Sequence, residues 1–410
     1  VQRYDVVVLG GGTAGCALAA RLSENETRTV CLVEAGPDYG PFGADRWPAE
    51  MLDARHIPRT HDWPAASSER GTSRARIIGG CSAHNACLVI RGTPADYDEW
   101  GAGWSYDELA PHLDRAEREL RTQPAIADDA PPWHAAAIEA ARGLGLRAGP
   151  YRANAVDGVR WNTAFAYLDV ARPRSNLTIR AETVVDRLVL TDGRAAAAVL
   201  HGGGEVAADV FVLASGAYGS PSVLLRSGVG PGLDLDLPVG QNLIDHVGVN
   251  VVWRPAVDVA PRDGQASYAL IEPEDLHLLP GTYLGDDGAY VASIIGFFMK
   301  PVSTGELALR GPDAGLPPLI RHAHLADERD VERVVRAVEL ARRIGAAEPC
   351  ATLVEEELEP GEVDLERHVR ANARGYYHPV GTCAIGGVVD ERLRVRGLEN
   401  VYVVDASVMP

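Results

Sequence analysis

Residues 4–15, YDVVVLGGGTAG, limit the possible folds more tightly than any other stretch. A short apolar run halted by glycines reads as a strand buried on both faces of a parallel sheet. Residues 16–22 continue in a helical pattern, and Thr29-Val-Cys-Leu-Val-Glu34 forms a second apolar strand. Within such a βαβ unit the glycine spacing acquires physical meaning. Gly10 permits the tight turn, Gly12 lets backbone N–H groups approach a pyrophosphate, and Gly15 lets the helix lie close to the strand. Thr13 and Ala14 sit between them at the helix start. Glu34, about 20 residues further on, stands where an acid bonds the adenosine ribose. The unit therefore predicts a Rossmann-like domain for an adenine dinucleotide.

The remaining composition narrows what surrounds that domain. At 410 residues the chain exceeds a single compact core, so two lobes are expected. The balance of 39 basic against 57 acidic residues gives a net charge of −18, which disfavours nucleic acid and anionic membrane surfaces as partners. No apolar run approaches the ~18 residues of a spanning helix, and the immediate entry into a strand leaves no room for a secretory signal. Cys16, Cys31, Cys81, Cys87, Cys350 and Cys383 form no CxxC pair. That argues against a metal or disulfide framework and for a reducing, cytoplasmic setting.

Residues 37–75 lack periodicity, as expected of a segment that runs across a ligand. Helices are expected at 96–100, 106–120 and 132–146. Strands are expected over 177–180, 184–190 and 195–200. A further buried strand, 210–214, meets the small-residue turn Ser215-Gly216-Ala217. Segments 248–254, 266–271, 289–299 and 305–310 alternate like an antiparallel sheet, and 327–346 is an amphipathic helix. Val401-Tyr-Val-Val404 returns to a buried strand ending in Asp405-Ala406. A nicotinamide domain has no use for such a late strand. One that brings an acid and a backbone N–H to a ribitol and diphosphate favours FAD.

The fold class is thus α/β with an α+β substrate lobe: a Rossmann-like FAD domain beside an antiparallel sheet covered by helices. The FAD domain takes 1–96, 176–247 and 385–410, and the substrate lobe 97–175 and 248–384. Two segments carry chemistry. In Arg76-Ile-Ile-Gly-Gly80-Cys-Ser-Ala-His84-Asn85-Ala86, a His-Asn pair lies between apolar residues, where Leu would pack more cheaply. In Tyr376-Tyr377-His378-Pro379-Val380-Gly381-Thr382, a bend aims an imidazole that can take an alcohol proton near neutral pH. His246 reads first as structural, orienting its loop through Asn242 and Asp245, with a second polar group in the cavity as the other reading. His322 and His324 would share one strand face, without a carboxylate partner for a metal.

Together these segments resemble the glucose-methanol-choline (GMC) oxidoreductases, FAD-dependent alcohol oxidases and dehydrogenases. The resemblance spans nearly the whole chain: GGGTAG with Glu34-Ala35-Gly36, GGCSAHN at 79–85, Gly240-Gln-Asn-Leu-Ile-Asp-His246, HPVGT at 378–382 and Asp405-Ala-Ser-Val-Met-Pro410. It implies an alcohol substrate oxidised to an aldehyde or ketone. Hydride passes to flavin N5, His378 acts as base, and oxygen or another acceptor reoxidises the flavin. A lyase-like flavoprotein on the same fold is the alternative. GGCSAHNAC looks most like choline oxidases, which implies a covalent flavin bond at His84, with Asn85 and Ala86 against the ring and Val184 holding adenine through its backbone. Ile385 stands where the family has Met, and the segment before Gly240 is short. Relatives carry a second catalytic His or Asn beyond the position of Pro410, so the tail is expected to continue past the residues given. An oligomer is compatible with all of this.

Overall fold

The computed structural model describes residues 2–64, 72–125, 131–260, 269–285 and 287–410. Its first sheet contains β1 (Arg3–Leu9), β2 (Val30–Val33), β3 (Leu177–Arg180), β4 (Val185–Thr191), β5 (Arg194–Leu200), β6 (Glu205–Leu213) and β7 (Val401–Val403), in the order β4-β5-β6-β1-β2-β3 with β7 also beside β6. β3, β2, β1, β6 and β7 run parallel, and β4-β5-β6 form an antiparallel meander. One edge of β6 serves two neighbours: residues 205–207 pair with β5, and 211–213 with β7.

Both faces of this sheet are covered, which explains the unbroken apolar runs. Val7, Leu9, Phe211 and Leu213 pack to one side. Val6, Val8 and Leu32 pack to the other, with Cys16 and Ala19 of α1 (Thr13–Leu22). A second helix, α2 (Gly216–Arg226), leaves the end of β6.

The second sheet is antiparallel, ordered Val354–Glu359, Val247–Pro255, Tyr290–Phe298, Leu276–Leu284, Ala269–Ile271, Ala148–Pro150. Helices Glu328–Gly345 and Pro132–Gly143 pack against it, with Trp133 and Trp253 5.4 Å apart between them. Asp327 caps the long helix by accepting from Arg329 N. The helix can settle onto the sheet because Gly296 has no side chain: a Cβ there would come within 2.8 Å of the Ala337 Cβ.

Three details differ from the sequence reading. Residues 305–310 supply only Glu306–Ala308, which pairs with Leu319–Arg321 in a separate ribbon. His322 and His324 lie past that strand, with their rings stacked at 4.7 Å. Strand Leu276–Leu284, which contains Pro280-Gly281, was not among the expected segments. It accommodates the proline because, among the described residues, its outer neighbour pairs only at Leu278, so no ladder bond is lost at 280. Of the expected strand 266–271, residues 266–268 lie outside the described residues.

Candidate active site

The glycine turn, the His84 loop and the end of β6 meet at one corner of the parallel sheet. Gly10 has φ +114°, and a Cβ there would stand 2.5 Å from Ala214 O, so only glycine lets β1 and β6 end side by side. The His84 loop docks on this turn through Gly79 N to Gly11 O (2.7 Å) and Ser82 N to Thr13 Oγ1 (3.2 Å). Gly80, at φ +54°, is so close that a Cβ would lie 2.6 Å from Gly12 Cα. Over Gly12 itself the space is open, with nothing nearer than 3.8 Å to a built Cβ. The N-terminus of α1 has no side-chain cap.

Glu34 closes the corner. Its carboxylate accepts from Gly11 N and Gly36 N, both at 2.7 Å, yet burial pushes its pKa up to about 7. Ala35 O accepts from Arg76 Nε, tying this turn to the His84 loop. Thr183 N donates to Glu34 O, and Glu182 N to Gly36 O, which sets Val184 beside the same turn. On the far side, Asp405 holds the start of α2: Oδ2 accepts from Gly216 N (2.8 Å) and Ser220 Oγ (2.5 Å). Its Oδ1 accepts from Ser407 N, closing the turn over Ala406, and Ser215 Oγ donates to Leu9 O. A diphosphate fits the uncapped helix amides beside Gly12, and the remaining carboxylate lone pairs of buried Glu34 and half-buried Asp405 can accept from the hydroxyls of a ribose and a ribitol.

His84 itself is nearly buried, and its Nε2 lies 3.2 Å from Asp62 Oδ1 at an angle too poor for a hydrogen bond. Burial lowers its pKa, and Asp62 opposes that shift. Asn85 Oδ1 accepts from Cys87 N, and Asn85 O accepts from Arg160 Nε.

His378 sits on a segment laced to its neighbours. Ile244 and Val380 exchange backbone hydrogen bonds, Thr382 Oγ1 donates to Ala217 O, and Cys383 N donates to Ser407 O. Asp245 Oδ1 accepts from His378 N (3.0 Å) and Tyr376 N (3.3 Å). The His378 ring is 4.5 Å from Tyr376, which stacks on Phe297, and 5.5 Å from His246 at 89°. It is solvent-accessible on one side but ringed by groups on the others. Burial, then His246 and Arg74, push its pKa down, so the imidazole is neutral near pH 7. His246 Nδ1–H donates to Met299 O (2.8 Å), which leaves its Nε2 as a lone-pair acceptor; burial pushes its pKa down to about 4.

Residues 4–248 and 301–410 match the two parts of the family described as GMC oxidoreductase. The chain belongs to the GMC oxidoreductases. Mitochondrial choline dehydrogenase from Homo sapiens is 30% identical, the match covering 100% of this chain and 86% of that protein. Oxygen-dependent choline dehydrogenase from Paraburkholderia phymatum is also 30% identical, over 100% and 89%. Among solved structures, pyridoxine 4-oxidase from Mesorbium loti superposes with a TM-score of 0.90 at 30% identity, covering 99% of this chain and 94% of that one.

In this GMC oxidoreductase, sequence reasoning undervalued two residues near the site and missed two more. His246, read as structural, stands edge-on to His378. Asp245, its neighbour, anchors the His378 backbone. Asp62 reaches His84 from the unpatterned stretch 37–75, where no sequence signal marks it. Arg160 is wholly buried, and its guanidinium donates to the carbonyls of Met51, Asp53, His56 and Asn85. Its only sequence hint is an arginine between Val159 and Trp161. The thiols of all six cysteines are free, no cluster of metal-ligating side chains occurs among the described residues, and none of their helices is long and apolar enough to cross a membrane.

Proposed function

We propose that this protein is an FAD-dependent oxidoreductase that converts the CH–OH group of an alcohol to a carbonyl. FAD, when bound, supplies the hydride acceptor. His378 takes the hydroxyl proton as the carbon loses hydride, so the alcohol leaves as an aldehyde or ketone. His246, its Nδ1–H committed to Met299 O, offers Nε2 to the same hydroxyl. Asp245 fixes the backbone from which His378 projects. The observation that carries this reading is the pair of neutral imidazoles set edge to face, on a segment that Thr382 and Cys383 tie to the start of α2 and the Asp405 turn. The relatives named above are dehydrogenases and an oxidase, which supports redox chemistry over the lyase-like alternative. Oxygen or another acceptor would reoxidise the flavin. Adding a panel of primary alcohols anaerobically to the flavin-loaded protein should bleach the flavin's visible absorbance. Absorbance untouched by every alcohol would remove the assignment.

We place FAD on Gly10, Gly12, Thr13, Ala14, Gly15, Glu34, Ala35, Gly80, Asn85, Ala86, Val184, Ser215, Gly216, Asp405 and Ala406. Residues 1–96, 176–247 and 385–410 form its domain, and 97–175 and 248–384 the substrate lobe. Supporting this division, every strand of the parallel sheet comes from the first set. Free thiols fit a cytoplasmic setting. His84 is the proposed tether: its Nε2 has no hydrogen-bond partner, and burial favours the neutral ring that a nucleophile requires. Acid precipitation should leave yellow colour in the protein pellet. All the flavin in the supernatant would mean that His84 packs beside a cofactor it does not hold.

A further inference from the structure

We propose that Asp62 is the base that takes the imidazole proton of His84 when that ring forms its bond to the flavin. This rests on the tether reading above and adds the residue that drives the step.

Forming the bond poses a proton problem that His84 cannot solve alone. One hydrogen must leave a methyl carbon of the flavin ring, and one must leave the imidazole. Both depart as protons, the imidazole's to Asp62, while the electron pair of the broken C–H bond reduces the flavin. Oxygen then takes that pair back, with two protons, as hydrogen peroxide. An imidazole that kept its N–H would end as a cation in a nearly buried place, where an unpaired charge is costly. The His84 side chain is 12% exposed, and burial already favours its neutral form. A carboxylate beside the ring lifts that cost by accepting the proton.

Asp62 is so placed. Its Oδ1 lies 3.2 Å from His84 Nε2, within the reach of proton transfer, and among the described residues no other carboxylate pairs with this ring. The contact is out of line for a hydrogen bond, so Nε2 is not pinned by it. The carboxylate, by contrast, is fixed. Oδ1 accepts from Ser73 Oγ at 2.5 Å, residue 62 bridges to Ala75, and Trp63 N donates to Arg74 O at 2.9 Å. His61, the residue before it, holds φ +63°, a conformation costly for any residue but glycine. Both nitrogens of the His61 ring are engaged, by Tyr39 OH at 2.7 Å and by Thr60 Oγ1 at 2.8 Å. A strained and doubly anchored residue thus presents the next side chain, an acid, to one imidazole.

The test is Asp62→Asn, whose side-chain carbonyl can still accept from Ser73 but cannot take a proton. Parent and variant are supplied with excess FAD and sampled over time into acid, and flavin in the pellet counts the tethered fraction. The variant should tether about 10²–10⁴-fold more slowly at pH 7. Its rate should climb with pH as hydroxide replaces the missing base. Non-covalent FAD affinity, read from quenching of flavin fluorescence, should match the parent's, and Asp62→Glu, which restores a carboxylate, should recover tethering. An Asn variant that tethers as fast as the parent would overturn the proposal. Loss of FAD affinity in step with tethering would show that Asp62 only holds its segment, and would overturn it equally. Should the Asn variant fold poorly, the Glu variant decides: folded, loaded with FAD and still slow, it too would overturn the base role. If the parent leaves all its flavin in the supernatant, the tether reading is what fails, a result seen without any variant, and the proposal falls with it.

Discussion

Replacing His378 with Ala is expected to slow anaerobic flavin reduction by an alcohol about 10²–10⁴-fold while flavin content stays unchanged. The two halves of that expectation come from different parts of the molecule. The side chain removed is the imidazole, held neutral near pH 7, that stands edge-on to His246. The hydrogen bonds that fix its loop are made by the backbone N–H of residue 378, by Val380 and by Thr382, and these survive the change. The cofactor corner is built from Gly10, Gly80, Glu34 and Asp405, none of which the substitution touches. His246 retains a lone pair at Nε2 and should leave some residual rate. Stopped-flow absorbance with saturating alcohol measures the first half, and the absorbance ratio of the purified protein the second. A loss smaller than tenfold would take the proton-accepting role away from His378.

The second large effect concerns Asp245. Its carboxylate is buried, and desolvation pushes its pKa up to about 6 in spite of the amides it accepts from. The unfolded chain would titrate it near 3.9. Between about pH 4 and pH 6 the folded state therefore binds the proton more tightly, so stability falls as pH rises through that window, and the loss persists at pH 7. Asn keeps a carbonyl to accept from His378 N and Tyr376 N. Its amide can face the gap where Asp245 Oδ2 and His324 Nε2 both lack partners, the gap that a Cβ on Gly375 would fill. Asp245→Asn should accordingly match the parent at pH 4 and exceed it by about 2–3 kcal/mol at pH 7, read from urea midpoints of the flavin-loaded proteins. Parallel midpoints from pH 4 to pH 7 would show that ionising Asp245 carries no cost.

What the sequence made legible follows from how far each feature reaches along the chain. The glycine turn and Glu34 belong to one βαβ unit, so spacing alone displays their geometry. His378 could be singled out because Pro379 and Gly381 mark a bend beside it. Asp62 and His84 sit close enough in sequence, yet nothing in the irregular run between them says that they meet. The Arg160 contacts are more extreme, since one buried cation satisfies carbonyls from two segments that share no pattern with it. Strand Leu276–Leu284 went unlisted because Pro280-Gly281 interrupts it with residues more usual in loops. His246 was undervalued because its partner lies on another segment, and the pairings of Ile244 with Val380 and of Val247 with Gly375 bring the two rings together.

The shared edge of β6 has a bearing on how the protein is made. Residues 205–207 find β5 almost at once in sequence, while 211–213, paired to β1 on one edge, keep the other edge open until Val401–Val403 exist. Asp405, which gathers Gly216 and Ser220, arrives with that same strand. A growing chain on the ribosome thus holds its glycine turn early but lacks one wall of the pocket until residues 401–407 have emerged. Cofactor loading by this geometry waits for that late strand, and until then β6 presents one open edge that a chaperone or a misplaced strand could occupy.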